Sequence, residues 1–266
     1  MAGSLRTLAQ KSLAGTRFVW RSGVDFLYPP CCLLCGGDVF EHPESRKFRP
    51  SFCDDCRAGL IWDYEDSCQR CAAPVGPHLD TTAGCIHCRG DRFAFEKVVR
   101  LGVYEGLLKQ ACRHAKNSYS QPLAAALGEL LWEWDGEELH QAGVDLVVPI
   151  PQYWTRRFQR SHNPAETLGR VLARRLQVEF HTHILTKVRR TPAQSSLTPP
   201  QRRANLRGAF RVRRASELKG RSVLLVDDVF TTGTTANEAS KVLRKAGAER
   251  VVVAVSARGL GRYANR

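Results

Sequence analysis

The sequence predicts an α/β domain, a central and mostly parallel sheet flanked by helices, preceded by a small cysteine-rich domain. Three observations carry that prediction. Residues 144–150 (VDLVVPI), 222–226 (SVLLV) and 251–256 (VVVAVS) are apolar runs with almost no alternation, as strands covered on both faces must be. Between them lie stretches of helical composition, 164–176 and 236–246, in the alternation that parallel sheets require. Upstream, eight of the ten cysteines fall in four C-x-x-C pairs between positions 32 and 88.

Length and composition bound the rest. A chain of 266 residues has room for one ordinary domain and a smaller second one, and 43% hydrophobic with 25% charged residues describes a soluble globular protein. We divide it into an amino-terminal helix at 1–29, a cysteine-rich domain at 30–92 and the α/β domain at 93–266. In the first of these, Leu5, Leu8, Leu13, Phe18 and Val19 keep helical spacing but are interrupted by Arg6, Lys11, Arg17 and Arg21. That pattern excludes a secretory signal and a membrane span; it predicts an amphipathic helix packed on its own protein, with an interfacial helix as the alternative.

The cysteine pairs are Cys32 with Cys35, Cys53 with Cys56, Cys68 with Cys71, and Cys85 with Cys88. Two intervening residues let both thiolates reach one ion across a tight turn, so two pairs complete a tetrahedral site. Two structural Zn²⁺ ions are therefore expected, in ribbons whose own cores are too small to fold without metal. An iron–sulfur cluster is the alternative occupant. Sequential pairing, first with second and third with fourth, needs the shortest loops; an interleaved arrangement is the other solution. Cys31 has the wrong spacing and is a spare, Cys112 reads as a buried small side chain, and His78 and His87 are not needed as ligands.

In the α/β domain, residues 93–103 read as a strand closed by a turn at Tyr104–Gly106, and 107–116 as a helix. Residues 123–134 form a helix apolar on most faces, with Asp135, Glu137 and Glu138 at its solvated exit. The strand at 144–150 is apolar except for Asp145 and ends at its prolines. A basic loop, 152–163, leads to the helix at 164–176, which has proline in its first turn. Residues 185–210 are rich in Pro, Ser, Thr and Arg, and a connection that long reads as a functional lid or a disordered segment.

The stretch 223–235, VLLVDDVFTTGTT, carries the chemistry. A strand runs into Asp227 and Asp228, then into the polar turn Thr231, Thr232, Gly233, Thr234 and Thr235, then into a helix that stops at Gly247. Loop amides and a helix N-terminus point unpaired N–H groups and about half a positive charge at an anion. Gly233 admits a phosphate close to the backbone and the threonines add hydroxyl donors. The acids suit ribose hydroxyls, or a divalent cation shared with a second phosphate. A phosphate beside ribose hydroxyls describes a ribose 5-phosphate group.

This stretch resembles the phosphoribosyl-diphosphate (PRPP) motif of type I phosphoribosyltransferases, a hydrophobic run, two acids, two residues and T-T-G-x-T. The resemblance implies the type I phosphoribosyltransferase fold and PRPP bound with Mg²⁺. It implies a 5-phosphate on Thr231–Thr235 and ribose hydroxyls on Asp227 and Asp228, the residues expected to carry catalysis. The diphosphate would be gripped by Arg157, Arg160 and Asn163 on the basic loop and by Arg190 and Arg202 on the lid, with Thr191, Gln194 and Asn205 beside them.

Over its whole length the chain resembles the ComF family of competence and DNA-uptake proteins. The residues that carry this are the C-x-x-C pairs, Tyr104 and Gly106, Lys116, the V-P-I-P run, R-x-x-N before a helix, R-x-T-x-x-Q-x-x-L, a second R-x-x-N and VDDVFTTGTT. Two positions depart: Arg160-Ser161-His162-Asn163-Pro164 stands where the family has R-G-F-N-Q, and both Arg189 and Arg190 precede Thr191. The resemblance implies a double zinc ribbon, a cytoplasmic location, phosphoribosyl transfer to a nitrogen acceptor, and single-stranded DNA, a competence helicase and the DNA-uptake machinery as partners.

Charge supports a second function class. The net charge is +14, yet residues 1–150 carry 16 basic against 19 acidic side chains, whereas residues 151–219 carry 16 against 3. That segment, with Tyr153, Trp154, Phe158 and Phe180 among its arginines, suits single-stranded DNA by charge and stacking. Under this reading the chain is a non-catalytic accessory protein and PRPP a regulatory ligand.

Overall fold

The computed structural model describes residues 30–39, 51–61, 66–153, 162–191 and 205–260. The chain divides into two compact units, Met1–Arg57 and Ala58–Arg266. The expected amino-terminal helix lies outside the described residues, as do Trp154 to Ser161 of the basic loop and residues 192–204 of the expected lid.

Elements are numbered in chain order. The first helix, α1 (Asp54–Leu60), follows Cys53, and the sheet domain then runs β1 (Val98–Val103), α2 (Gly106–His114), α3 (Gln121–Gln141), β2 (Leu146–Pro149), α4 (Pro164–Leu176) and β3 (Glu179–Phe180). It continues through β4 (Leu185–Lys187), β5 (Phe210–Val212), β6 (Ser222–Phe230), α5 (Thr234–Lys245) and β7 (Arg250–Arg258). Five strands form one parallel sheet in the order β1-β7-β6-β2-β3, with β6 at its centre. Leu225 is opposite Val148 on one side and Val253 on the other, and all three are fully buried. The absence of alternation in these runs is thus explained, because both faces of the sheet are covered.

Helices α3 and α4 pack against each other and against the sheet. On the opposite face α5, the β4–β5 hairpin and the second cysteine cluster share one core with Leu146, Val148, Val223, Leu225, Val251 and Val253. Asn163 starts α4 by accepting from the Ala165 amide (3.2 Å), Pro164 occupies the first turn, and Gln177 ends the helix in a left-handed conformation. Glu129 on α3 binds Arg174 and Arg175 from the last turn of α4, where cations also complement the helix dipole. Asp145, the one acid in the 144–150 run, accepts from the Ser222 amide at 2.7 Å and so pins the start of β6.

Four elements differ from the sequence expectation. The strand placed at 93–103 begins only at Val98, because the Ala94 amide is held by Asn237 (2.8 Å) and Phe93 and Phe95 stack on each other instead of joining the ladder. The helix at 123–134 continues to Gln141, across a non-helical Asp135, because Leu139 buries fully on the far side of the kink. The 185–210 stretch is not all loop: its ends pair as the β4–β5 hairpin. Most relevant to function, β6 runs past Asp227 and Asp228 to Phe230, since β7 supplies partners as far as Arg258.

Candidate functional site

The eight paired cysteines form two clusters, Cys32, Cys35, Cys53 and Cys56 in the first unit, and Cys68, Cys71, Cys85 and Cys88 in the second. Within each, the sulfurs lie within 4.8 Å of one another. Sequential pairing is therefore the arrangement found, no histidine belongs to either cluster, and Cys31 stays outside. Four Zn–S bonds of about 2.3 Å demand S···S edges of about 3.8 Å. The shortest separations fit: 3.7 Å for Cys35–Cys53, Cys68–Cys88 and Cys71–Cys85, and 4.0 Å for Cys85–Cys88.

The two units use the same local turn. Cys32 donates to Gly37 and accepts from Gly36, just as Cys68 donates to Ala73 and accepts from Ala72. The residue in the left-handed position is Gly36 in the first turn and Ala72 in the second. Such a turn aims both sulfurs of a C-x-x-C pair at one point, which is the geometry of a structural metal site with every ligand position filled.

The second candidate site is at the carboxyl end of β6, where open parallel sheets place ligands. Asp227 accepts from the Asp228 amide (2.9 Å) and Asp228 from the Val229 amide (2.8 Å). Lys116, just beyond α2, reaches Asp228 at 2.6 Å. Burial, and then the neighbouring Asp228 charge, hold the Asp227 carboxyl well above the usual carboxylate range. Burial opposes the Lys116 ammonium, but the Asp228 carboxylate outweighs it and keeps the lysine above its ordinary value. Cys112 lies behind this pair; burial and the Asp228 charge push its thiol up to about 12, so it is an inert packing residue.

After the acids the chain turns through Thr231, Thr232 and Gly233 into α5. Gly233 stands at the N-cap with φ 71°, and a Cβ there would lie 2.5 Å from the Phe230 ring and 3.2 Å from that of Phe93. Thr232 and Thr234 share a hydroxyl hydrogen bond of 2.8 Å, so they are presented as one polar edge. Asn237 fixes the first turn of α5 from outside, accepting from the Ala94 amide. Gly259 donates to the Phe230 carbonyl at 2.7 Å and closes the loop against β7. Two carboxylates, one of them paired with Lys116, thus precede a polar turn and a helix N-terminus within a dozen residues.

The remaining expected residues are distributed differently. Asn163 is used in capping: besides accepting from Ala165 it donates to the Ile150 carbonyl (2.9 Å) and accepts from Gln152 (3.3 Å), so it fixes the end of the basic loop to β2. Arg190 is exposed, and Arg189 ties the described ends of the 185–210 stretch together through the carbonyls of Asn205 and Arg207. Arg157, Arg160, Gln194 and Arg202 lie outside the described residues. A cavity of about 650 Å³ opens at the ends of β2 and β3, lined by Asn163, Arg170, Lys187, Arg213 and His183 among others but not by the acids or the threonine turn.

Two functional positions escape sequence reading. Arg258, 2% exposed at the end of β7, bonds both the second cysteine cluster and the β6–α5 loop. Asn237 looks like any polar helix residue. The only signal for Arg258 is a charge two residues beyond the apolar run 251–255 and its Ser256.

Comparison with known proteins agrees with this geometry. The chain matches the family model of the Double zinc ribbon domain over residues 23–89 and that of the Phosphoribosyl transferase domain over residues 163–266. It is 31% identical to Competence protein F of Haemophilus influenzae over 215 residues, covering 76% of this chain and 94% of that protein. To DNA utilization protein YhgH of Escherichia coli K12 it is 30% identical over 221 residues, 77% of this chain and 95% of that one. A stretch of 40 residues is 50% identical to Ribose-phosphate pyrophosphokinase of Pyrococcus furiosus, covering 15% of this chain and 14% of that enzyme. The fold is that of a phosphoribosyltransferase domain behind a double zinc ribbon, and none of the described helices is long and apolar enough to cross a membrane.

Proposed function

The chain belongs to the ComF family of Competence protein F, and from that premise we propose that it binds PRPP with Mg²⁺ at the β6–α5 loop and serves the uptake or use of DNA in the cytoplasm. The single observation that carries the ligand is the order in space of Asp227 and Asp228, the Thr231–Thr235 turn and the first turn of α5. Carboxylates accept from two ribose hydroxyls, and loop amides and threonine hydroxyls donate to a phosphate. One molecule that presents both is a ribose 5-phosphate. The short match to a ribose-phosphate enzyme supports the same ligand.

Bound there, PRPP would direct its diphosphate towards the basic loop after β2. Transfer would break the C1–O bond to diphosphate, which leaves with the electron pair, and form a C1–N bond to the acceptor, whose proton passes to solvent. No side chain acts as nucleophile; the chain positions the reactants and stabilises charge. Mg²⁺ would supply charge neutralisation on the diphosphate, with the carboxylates of Asp227 and Asp228 as the residues suited to hold it through ribose or water.

Lys116 belongs to this machinery, because it neutralises one of two adjacent carboxylates where a highly anionic ligand must bind. Lys116→Met is expected to weaken PRPP binding about tenfold, about 1.4 kcal/mol, a modest figure because the pair is partly exposed. Unchanged affinity by calorimetry would remove Lys116 from the site.

A second reading rests on the 16 basic against 3 acidic residues of 151–219: a protein that binds single-stranded DNA and uses PRPP as a regulator. One pair of measurements separates the two. Diphosphate release from PRPP, screened over bases and nucleic acids, marks a transferase. Silence with intact PRPP binding, together with a single-strand affinity that falls about 0.7 log unit per log unit of salt for each phosphate contacted, marks the binder.

A further inference from the structure

Arg258 is a buried cation. Its guanidinium donates through Nε to the Cys71 carbonyl (2.8 Å), through Nη2 towards the Cys71 sulfur (3.7 Å), and through Nη1 to the carbonyls of Thr231 (2.7 Å) and Gly259. It also sits over the Phe230 ring, 5.1 Å from its centre. Among the described residues no carboxylate forms an ion pair with it. A buried guanidinium with no opposing charge is strongly disfavoured. The charge available at this place is the cluster Cys68, Cys71, Cys85 and Cys88, which as four thiolates around Zn²⁺ carries a net charge of about −2.

The same residue holds the opening of the Thr231–Thr235 turn by its carbonyl. A second line of contact runs in parallel: Arg70, between two cysteine ligands, lies over Phe93, which meets Phe230 edge-on, and both rings close on the position of a Cβ at Gly233. Arg100 on β1 fixes the other side of the knuckle through the Ala72 carbonyl (2.6 Å). The second ribbon is therefore built into the wall of the loop, and its metal-bearing turn shares one arginine with the proposed phosphate cradle.

We propose that Arg258 is a positioning residue that couples the second zinc site to the Thr231–Thr235 loop, so that zinc retention by Cys68, Cys71, Cys85 and Cys88 and PRPP binding strengthen each other. This rests on the PRPP reading given above. Zinc on the thiolates holds the negative charge that keeps Arg258 in place, and Arg258 keeps the Thr231 carbonyl turned away so that the loop amides face the ligand. Coupling of this kind is reciprocal by necessity. The first cluster, in the other compact unit, provides the internal reference.

The test uses the full chain and PRPP with Mg²⁺. Zinc release to a zinc-selective chelating dye is followed with and without PRPP, in the wild type and in Cys35→Ser/Cys53→Ser, where the zinc that remains belongs to the second cluster. PRPP is expected to slow loss from the second cluster about tenfold and leave loss from the first unchanged. Arg258→Gln, at full zinc content, is expected to abolish that protection and to weaken PRPP binding in calorimetry. Equal release rates with and without PRPP, while PRPP binds, would overturn the coupling and leave the ligand reading intact. Absence of PRPP binding to the wild type would overturn both. The wild-type comparison stands even where Arg258→Gln fails to fold.

Discussion

Gly233→Ala is expected to destabilise the protein by about 3 kcal/mol and to remove PRPP binding. Two costs add. The residue has φ 71°, a left-handed conformation that costs an alanine about 1 kcal/mol. The new Cβ would also lie 2.5 Å from Phe230 Cζ, 3.1 Å from Phe230 Cε2 and 3.2 Å from Phe93 Cε1, and overpacking of that kind costs about 1–3 kcal/mol. Neither ring moves easily, because Phe93 stacks on Phe95 at 4.5 Å and Phe230 lies under Arg258. The loop must then give way, and with it the amides that would hold the phosphate. Gly220→Ala is the matched control: φ is 69°, yet nothing lies within 4 Å of its Cβ, so only the conformational cost remains. Equal unfolding free energies for the two variants in denaturant titrations would mean that the aromatic wall does not hold the loop.

The second large effect concerns Asp227. Its carboxyl is held above the usual range by burial and by the charge of Asp228, so ionisation works against the folded state. The sign follows from linkage. A carboxyl whose folded pKa is raised contributes stability that is fully present below its unfolded value of about 3.9 and is lost as pH rises through the folded value. As pH rises above the ordinary carboxylate range, the ligand-free protein therefore loses stability at this residue, and Asp227→Asn is expected to raise its melting temperature there. Binding runs the other way: only the carboxylate accepts from two ribose hydroxyls, so PRPP affinity is expected to fall as pH drops through the raised Asp227 titration. Stability and binding moving in opposite directions is the signature of a charge retained for a ligand. A melting temperature that falls in Asp227→Asn at pH 8 would contradict the assignment.

The features legible in the sequence were those set by local chemistry. Cys32 to Cys88 announced two metal sites through spacing alone, and the short loops between consecutive pairs pointed to the sequential arrangement that the sulfurs adopt. The bounds of α4 were readable from Asn163, Pro164 and the apolar spacing that follows. What the sequence hid depends on neighbours distant along the chain. The extension of β6 through Asp227 and Asp228 exists because β7 runs alongside as far as Arg258. Phe93 and Phe95 looked like strand residues because aromatic side chains favour strands, but Phe230 and Asn237, more than 130 positions later, draw them into the wall of the loop. Arg258 could be counted as a charge but not placed, since the cysteine turn that receives it lies 187 residues upstream. Asn163 shows the opposite case: a residue expected to grip an anion is committed to capping and to the β2 carbonyl.

The central claim is that Asp227 and Asp228 hold a ribose and the turn after them its phosphate. Calorimetric titration of PRPP with Mg²⁺ into the wild type and into Asp227→Asn/Asp228→Asn tests it most directly. Two charge-assisted acceptors are lost, each contributing about 1.5–3 kcal/mol, so affinity is expected to fall by at least about 100-fold while zinc content and fold persist. Equal affinities for the two proteins would contradict the account.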